Sequence, residues 1–268
     1  MDKFQKFRQK VWKYYRAHGR NFPWRKTRDP YRILISEIML QQTQVKRVVP
    51  KYQEFLKRFP NLNALRKASL RNILVAWQGL GYNRRAVSLK KLSGIVFKKH
   101  NGKLLPDPFM LKSLPGIGEA TAGAITAFAF NIPAQFLETN IRRAFIHDFF
   151  LGHKRVSDKE ILCVVRKTLV GQEPREWYYA LMDYGAMLGK QRKNSNRRSS
   201  RYRKQPAFKG SMRELRGKII KFLTARNAVQ TSALMRSLGE RETRIKSALQ
   251  ALEKDGLLTV RRGIARIA

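Results

Sequence analysis

The sequence predicts a mostly α-helical protein in which a large helical domain is followed by a small C-terminal domain. Three observations support this prediction. Apolar residues recur at helical spacing through most of residues 1–189, in segments that end at proline or glycine. Residues 190–211 contain many arginines, lysines and serines but no acidic residue, as expected of a basic linker. Residues 212–268 then show three helical segments and a β-hairpin.

Local signals delimit the helices of the larger domain. Asp29 and Pro30 start one helix, Pro60 ends another, and Gly81 ends a third. A further helix, rich in small residues, begins at Glu119. The other predicted helices are Phe4–His18, Pro30–Gln42, Val45–Phe59, Leu62–Ala68, Leu70–Leu80, Ala86–His100, Arg142–Phe150, Ser157–Leu169 and Glu176–Leu188.

The smaller domain has a different pattern. Its predicted helices are Met212–Ala225, Ser232–Leu238 and Glu240–Glu253, and two short apolar strands flank Arg261-Arg262-Gly263. Three helices and a basic hairpin resemble a winged helix. We therefore predict a winged-helix-like DNA-binding domain over residues 212–268.

The charge balance indicates a polyanionic partner. The 268 residues include 57 Lys and Arg against 18 Asp and Glu, a net charge of +39, which favours nucleic acid over an acidic membrane surface. No apolar run approaches the ~20 residues of a membrane span, and no signal peptide opens the chain. The single Cys163 excludes internal disulfides and a Cys-rich metal site. We expect an intracellular protein without a membrane partner, cytoplasmic and nucleoid-associated or nuclear.

One short motif suits the backbone of a nucleic acid. In Leu114-Pro115-Gly116-Ile117-Gly118 two glycines flank one apolar residue, so the chain can turn tightly and expose its amide N–H groups. The helix that follows adds its own unpaired N–H groups and dipole. Such a hairpin can grip phosphates without reading sequence. A plain corner between two helices is the alternative interpretation.

Two carboxylates stand out. Glu37 lies within an apolar helix, where it needs a partner or stays protonated with a raised pKa. A buried salt bridge to an arginine is the alternative. Glu138 follows Gly118 by twenty residues, and Asn140 follows two places later.

These segments together resemble a known family. Pro23-Trp24-Arg25, the run Ser36–Val45, the glycine hairpin with Glu138 and Asn140, and the run Ala180–Met187 are similar to the helix-hairpin-helix DNA glycosylases of base excision repair. Among these, MutY-type adenine glycosylases are the most similar, from about Asn21 to about Leu188. The resemblance implies a two-lobed helical HhH-GPD glycosylase domain over residues 1–189.

The resemblance also implies roles for individual residues. Glu37 would protonate the leaving base, and Glu138, oriented by Asn140, would stabilise the sugar cation. Gln42 and Tyr82 would form the wedge that fills the duplex once the base is extruded. Arg25 and Asp183 would line the base pocket. For Tyr82 simple packing against the core, and for Asp183 a helix-surface role, are the alternatives.

The chain departs from the family in three ways. The four positions of the cysteines that usually hold an iron–sulfur cluster are Gly189, Asn196, Ser199 and Gln205, so we expect no cluster and no metal. The sugar-side carboxylate, usually Asp, is Glu138, whose extra methylene changes its reach. Ala120 occupies the position that is Lys in glycosylase-lyases, so no Schiff base and no strand cleavage are expected.

Three functions remain open from the sequence. The first is a monofunctional DNA glycosylase that removes adenine opposite 8-oxoguanine or G. The second is a uracil or thymine mismatch glycosylase acting opposite G. The third is a DNA-binding protein on a catalytically weak glycosylase scaffold. In each case double-stranded DNA is the expected partner and a monomer the expected state.

Overall fold

The computed structural model describes residues 1–191 and 194–268 and confirms a mostly helical fold with a small sheet near the C-terminus. Short 3₁₀ helices occur at Pro23–Lys26 and Ser195–Arg198. The α-helices are α1 (Lys3–His18), α2 (Pro30–Leu40), α3 (Val45–Arg58), α4 (Leu62–Lys67), α5 (Leu70–Trp77), α6 (Arg84–His100), α7 (Pro108–Ser113), α8 (Glu119–Phe130), α9 (Thr139–Phe149), α10 (Asp158–Leu169), α11 (Pro174–Gln191), α12 (Met212–Thr224), α13 (Thr231–Leu238) and α14 (Glu242–Lys254).

Contacts divide the chain into two compact units, each assembled from separate segments. The first unit comprises Met1–Leu34, Pro106–Ser113 and Ile117–Lys204, and the second comprises Ile35–Leu105, Leu114–Gly116 and Gln205–Ala268. Segments of the two units alternate along the chain, so the units do not correspond to the predicted domains of residues 1–189 and 212–268. That division stays a prediction.

An aromatic cluster fills the centre of the first unit. Phe7 of α1 contacts the rings of Phe145 and Phe149 on α9 and of Trp177 and Tyr184 on α11. Capping fixes the start of α1, because the Asp2 carboxylate accepts from a backbone N–H of its first turn in a complete capping box. The cluster therefore packs α1 and α11 against α9, the helix that begins beside Glu138.

The second unit has its own apolar core. Phe55 on α3 and Trp77 on α5 meet edge to face and are fully buried, as are Leu89 and Leu92 on α6. Burial of such side chains stabilises by roughly 1.5–3 kcal/mol each. The C-terminal part of the second unit packs on this core through α12 and α5.

The C-terminal residues form the predicted three helices and hairpin, with one strand that the sequence did not predict. β1 (Val229–Gln230), β2 (Leu258–Arg261) and β3 (Ile264–Ile267) make an antiparallel sheet in the order β1-β3-β2. At two residues, β1 is too short to leave an alternating pattern in the sequence. Its pairing with β3 completes the sheet and fixes the hairpin against α13.

Residues 194–200, within the predicted basic linker of residues 190–211, make defined contacts. Ser199 forms a parallel β-bridge with Val156, and Asn196 is buried and donates to the Thr139 carbonyl at 2.9 Å. Arg198 donates to the Phe150 and Ile146 carbonyls. The segment is held by hydrogen bonds to backbone groups. Its basic composition gives no sign of such contacts, so they could not be predicted from the sequence.

No helix in the described part of the chain is long and apolar enough to cross a membrane.

Candidate active site

In the first unit, Glu138 caps the helix that carries Asn140. The Glu138 Oε1 atom accepts from the backbone N–H groups of Asn140 at 2.6 Å and Ile141 at 2.7 Å, and its Oε2 accepts from Asn140 Nδ2 at 3.2 Å. These backbone groups are donors that an α-helix cannot pair internally. The extra methylene of glutamate is thus accommodated, because the side chain folds back onto the start of α9.

Opposing effects act on the pKa of Glu138. Burial raises the pKa of the Glu138 carboxyl, while the two backbone hydrogen bonds and the charges of Arg143 and Arg142 act in the opposite direction. Arg142 is itself paired with Asp158 at 2.9 Å, which leaves Arg143 as the neighbouring cation without a carboxylate of its own in the described contacts. The net effect is a raised pKa.

Arg143 links Asn140 to α11 and to the segment beyond it. Its Nη1 donates to Asn140 Oδ1 and to the Gly185 carbonyl, both at 2.8 Å, and its Nε donates to Asn194 Oδ1 at 3.4 Å. Burial lowers the pKa of the Arg143 guanidinium. Gly185 permits this arrangement, since a Cβ there would lie 2.0 Å from the Asn140 backbone oxygen.

Arg25 and Asp183 lie together as a buried ion pair. Arg25 donates to both Asp183 oxygens at 2.8 and 2.7 Å, and Arg20 donates to the same carboxylate through its backbone N–H and Nε. Asp183 is 2% exposed, so a helix-surface role for it is wrong. Arg25 Nε is buried without a hydrogen-bond acceptor in the described part of the chain. The pair can shape a pocket, and Arg25 retains a donor.

In the second unit, Glu37 is the accessible position in an otherwise buried stretch. Ile35, Ser36, Ile38 and Met39 are buried, whereas Glu37 is half-exposed. Glu37 is thus partly accessible while the residues on either side of it in α2 are packed in the interior.

Arg85 is an important residue that sequence reasoning missed. It is 7% exposed and lies under the end of α2 and the loop before α6. Burial lowers the pKa of Arg85 to about 10, so the guanidinium stays charged at neutral pH. It donates to Thr43 Oγ1 and to the carbonyl oxygens of Ile38, Met39, Gln41, Leu80, Gly81 and Tyr82.

The two predicted wedge residues occupy unusual backbone conformations. Gln42 and Tyr82 have φ of 55° and 46°, values that side chains rarely adopt and that cost about 1–2 kcal/mol. Gln42 is exposed at the end of α2, and Tyr82 is 36% exposed. Packing of Tyr82 within the core, the alternative from sequence, is therefore wrong. Strain of this kind persists where the surroundings over-determine it.

The glycine hairpin is held tightly on its α6 side. Gly116 has φ of 82°, and a Cβ there would lie 2.7 Å from Ser88 Cβ, so both conformation and space require glycine. Gln41 Nε2 donates to the Gly116 carbonyl at 3.2 Å. Gly118, in an extended conformation, caps α8, while Leu114 and Ile117 are buried. The apolar residues anchor the turn and the glycines stay at its surface.

Comparison with known proteins identifies the family. Residues 35–165 match the family model described as HhH-GPD superfamily base excision DNA repair protein. The thymine/uracil-DNA glycosylase of Pyrobaculum aerophilum is 35% identical over 189 residues, which cover 68% of this chain and 82% of that protein. The chain belongs to the HhH-GPD superfamily.

Other HhH-GPD members are also similar. The adenine DNA glycosylase of Buchnera aphidicola subsp. Baizongia pistaciae is 40% identical over 188 residues, which cover 68% of this chain and 52% of that protein. The chain thus spans about half the length of the adenine glycosylases that it matches. The solved structure of a thermostable thymine-DNA glycosylase has a TM-score of 0.64 at 27% identity, covering 72% of this chain and 90% of that one.

The residues at the four HhH-GPD cluster positions do not fit an iron–sulfur cluster. None supplies a thiolate, and Cys163, the single cysteine, lies exposed on α10. Arg143 lies against one of these positions, since a Cβ on Gly189 would meet Arg143 Nη1 at 2.5 Å. Asn196 and Ser199 make the contacts described above, and Gln205 donates to the Tyr82 hydroxyl.

The HhH-GPD lyase position is occupied by a small side chain. Ala120 is exposed in the first turn of α8. Lys112, two residues before Leu114, pairs with Glu119 at 3.3 Å. Neither observation provides a nucleophilic amine at the start of α8.

Proposed function

We propose that this protein is a monofunctional DNA glycosylase of base excision repair that flips out a mispaired base and hydrolyses its N-glycosidic bond. Its main substrate is adenine opposite 8-oxoguanine or G, in keeping with the adenine glycosylases at 33–40% identity among its relatives. The observation that carries the proposal is the Glu138 carboxyl, fixed by Asn140 at the start of α9 in a member of a base-excision family.

Glu138 and Asn140 act on the sugar. As the glycosidic bond breaks, positive charge develops on the sugar ring, and an ionised Glu138 stabilises it. Asn140 holds the carboxylate by its backbone and side-chain N–H groups, so no reorganisation is needed during the reaction. Arg143 keeps Asn140 in place and favours ionisation of Glu138.

Glu37 acts on the leaving base. In its protonated form it donates a proton to the base as the bond between C1′ and nitrogen breaks. Water then adds to C1′ and releases its own proton, which leaves an abasic sugar. The half-exposed position of Glu37 among buried neighbours suits this transfer.

The remaining predicted residues hold the extruded state. Arg25, whose Nε–H has no acceptor within the described residues, lines the base pocket with Asp183 as its anchor. Gln42 and Tyr82 enter the gap in the duplex, and Arg85 holds their loops. The Leu114–Gly118 hairpin binds the phosphates of a DNA duplex, and the net charge of +39 attracts the duplex electrostatically. The protein acts as a monomer in the compartment that contains the DNA.

Two features make the enzyme monofunctional and free of a cluster. Ala120 offers no amine for a Schiff base, so the product is an intact abasic strand. The contacts of Gly189, Asn196 and Ser199 take over the packing that a cluster would supply.

Uracil or thymine opposite G is the second candidate substrate. The observation in its favour is length: this chain covers 82% of the Pyrobaculum thymine/uracil-DNA glycosylase but only about half of the adenine glycosylases. About half of the length of the latter has no counterpart in the match.

One experiment separates the candidates. Purified protein is incubated with labelled duplexes carrying A, U, T or hypoxanthine opposite G, C or 8-oxoguanine, and strands are resolved with and without alkali. We expect alkali-dependent cleavage at adenine. Cleavage at uracil or thymine would select the second candidate, and tight binding without release of any base would select a DNA-binding protein without glycosylase activity.

A further inference from the structure

The hydroxyl of Tyr82 is held by the segment that leads into the C-terminal helices. Arg213 Nη1 donates to Tyr82 Oη at 3.0 Å, and Gln205 Nε2 donates to the same oxygen. Arg213 Nη2 donates to the Pro206 carbonyl at 2.7 Å. Because Tyr82 is 36% exposed and its hydroxyl is the outermost atom of the side chain, these two donors lie at the tip of the candidate wedge.

The C-terminal helices are fixed to the same compact unit, so the position of Arg213 is defined. Arg71 on α5 donates to the carbonyl oxygens of Leu223 and Thr224 at the end of α12 and to that of Arg226 at 2.7 Å. Gln78 donates to Thr224 Oγ1 at 2.9 Å. These bonds go to groups in the last turn of α12 and just beyond it, where helix carbonyls have few partners within the helix.

A second set of contacts holds α14 against α6. Asp255 pairs with Arg216 on α12 and lies 4.0 Å from Arg84. Gly256 lies against Val87 and Lys91, where a Cβ would be 3.8 Å from each side chain. The docked C-terminal part therefore carries Arg213 as a component of the wedge surface rather than as part of a mobile appendage.

We propose that Arg213 and Gln205 read the base opposite the extruded one, and that the Tyr82 hydroxyl positions both side chains by accepting a hydrogen bond from each. The inference rests on the proposed function, in which Tyr82 enters the duplex at the emptied position. An enzyme that extrudes one base leaves its partner unpaired at the wedge, and the groups bonded to the wedge tip are the first to meet it.

The chemistry of Arg213 specifies the partner base. A guanidinium is a planar fork of donors that pairs with the O6 and N7 edge of guanine, and O6 is shared by 8-oxoguanine. Adenine and cytosine present amino donors that oppose it. Arg213, which lies outside residues 35–165 that match the family model, thus gives a preference for G or 8-oxoguanine as the opposing base.

The test measures binding without requiring catalysis. Duplexes carry a tetrahydrofuran abasic analogue opposite G, 8-oxoguanine, C or A, and dissociation constants are measured for the whole protein. We expect wild type to bind the analogue opposite G or 8-oxoguanine about tenfold tighter than opposite C or A. Arg213→Ala removes this preference, and Arg213→Lys, which keeps the charge but not the fork, removes most of it.

Two further variants complete the design. Tyr82→Phe keeps the ring but removes the hydroxyl on which Arg213 and Gln205 are mounted, so we expect it to lose the same preference and to be non-additive with Arg213→Ala. Arg236→Ala removes one exposed positive charge from α13 of the same unit and serves as the charge control. It should retain the preference.

Three results would overturn the proposal. Wild type without any preference among opposing bases would exclude a reader. An equal loss of affinity for all duplexes in Arg213→Ala would assign Arg213 to a phosphate. An equal gain would show that Arg213 and Gln205 restrain Tyr82 from entering DNA. Failure of wild type to release a base would count against the proposed function and would leave this binding test intact.

Discussion

Asn140 donates two hydrogen bonds to Glu138, one from its backbone N–H to Oε1 at 2.6 Å and one from its side-chain amide to Oε2 at 3.2 Å. Both oxygens of the candidate catalytic carboxylate are therefore held by a single neighbouring residue. The orientation of the carboxylate is set by the start of α9, and any change to Asn140 or to Arg143, which holds Asn140 Oδ1, must reach Glu138.

The first prediction concerns pH. In the proposed mechanism base release requires ionised Glu138, and burial raises the pKa of this carboxyl, so activity should be lost as pH falls through a value above the ordinary pKa of glutamate. Arg143→Met removes a cation that opposes this rise, which moves the acid limb to higher pH. Single-turnover rates measured against pH check this. Arg143→Lys keeps the charge and should shift the limb less. An acid limb at the same pH in Arg143→Met would exclude electrostatic coupling to Glu138.

The second prediction concerns the proton donor. Glu37→Gln keeps the shape of the side chain but removes the transferable proton, so we expect base release to fall by about 10²–10⁴-fold. Duplex affinity should stay within a few-fold. Single-turnover kinetics and binding to an uncleaved duplex measure the two effects. Glu54→Gln, on α3 of the same unit and paired with Lys51 at the surface, is the control and should stay active. Retained turnover in Glu37→Gln would remove Glu37 from the mechanism.

The third prediction concerns the hairpin. Gly116→Ala places a Cβ 2.7 Å from Ser88 and forces alanine into a left-handed conformation, which costs about 1–2 kcal/mol in the free energy of unfolding. The turn must move, so affinity for duplexes of every sequence should fall together. Gly118→Ala is the control for stability, since that position is extended and has open space around it. Equal urea midpoints for Gly116→Ala and wild type would contradict the prediction.

The fourth prediction separates structural from DNA-binding arginines in the basic segment. Arg198 donates to two backbone carbonyls, so Arg198→Ala should lower the free energy of unfolding by about 1–3 kcal/mol and leave the salt dependence of binding unchanged. Arg203 is exposed, and Arg203→Ala should flatten the slope of log K against log salt by up to ~0.9 for one lost phosphate contact. Urea unfolding and salt titrations distinguish the two variants, and an unchanged slope for Arg203→Ala would exclude that residue from DNA contact.

The fifth prediction concerns the product. Wild type should leave an intact abasic strand that is cleaved only by alkali, and borohydride should trap no covalent protein–DNA adduct. Ala120→Lys introduces an amine at the exposed start of α8 and is the matched positive variant, in which an adduct should form. A trapped adduct with wild type would overturn the monofunctional assignment.

The helix bounds predicted from the sequence agree with the structure where local side-chain signals mark them. α2 begins at Pro30 and α3 at Val45, as predicted, because proline and the apolar period act locally. α9 begins at Thr139, three residues before the predicted start at Arg142. The difference arises because glutamate is an uncommon cap, and its capping geometry shows only in three dimensions.

Buried charge was the main feature that the sequence concealed. Nothing in the sequence indicated that Arg85 is buried, and a helix-surface role was left open for Asp183. Both residues lie in the interior and are hydrogen-bonded to partners that are distant along the chain. Periodicity reports apolar burial, whereas a buried ion is stabilised by specific hydrogen bonds that leave no periodic trace. The roles of the site residues in catalysis remain predictions that the experiments above address.

The contact beside Gly189 has a consequence for substitutions at that position. A cysteine in place of Gly189 would bring its Cβ to 2.5 Å from Arg143 Nη1, the atom that donates to Asn140 Oδ1, so the guanidinium would have to move. Adding cluster ligands one at a time would therefore disturb the contacts of Asn140 before a complete set of four thiolates was present.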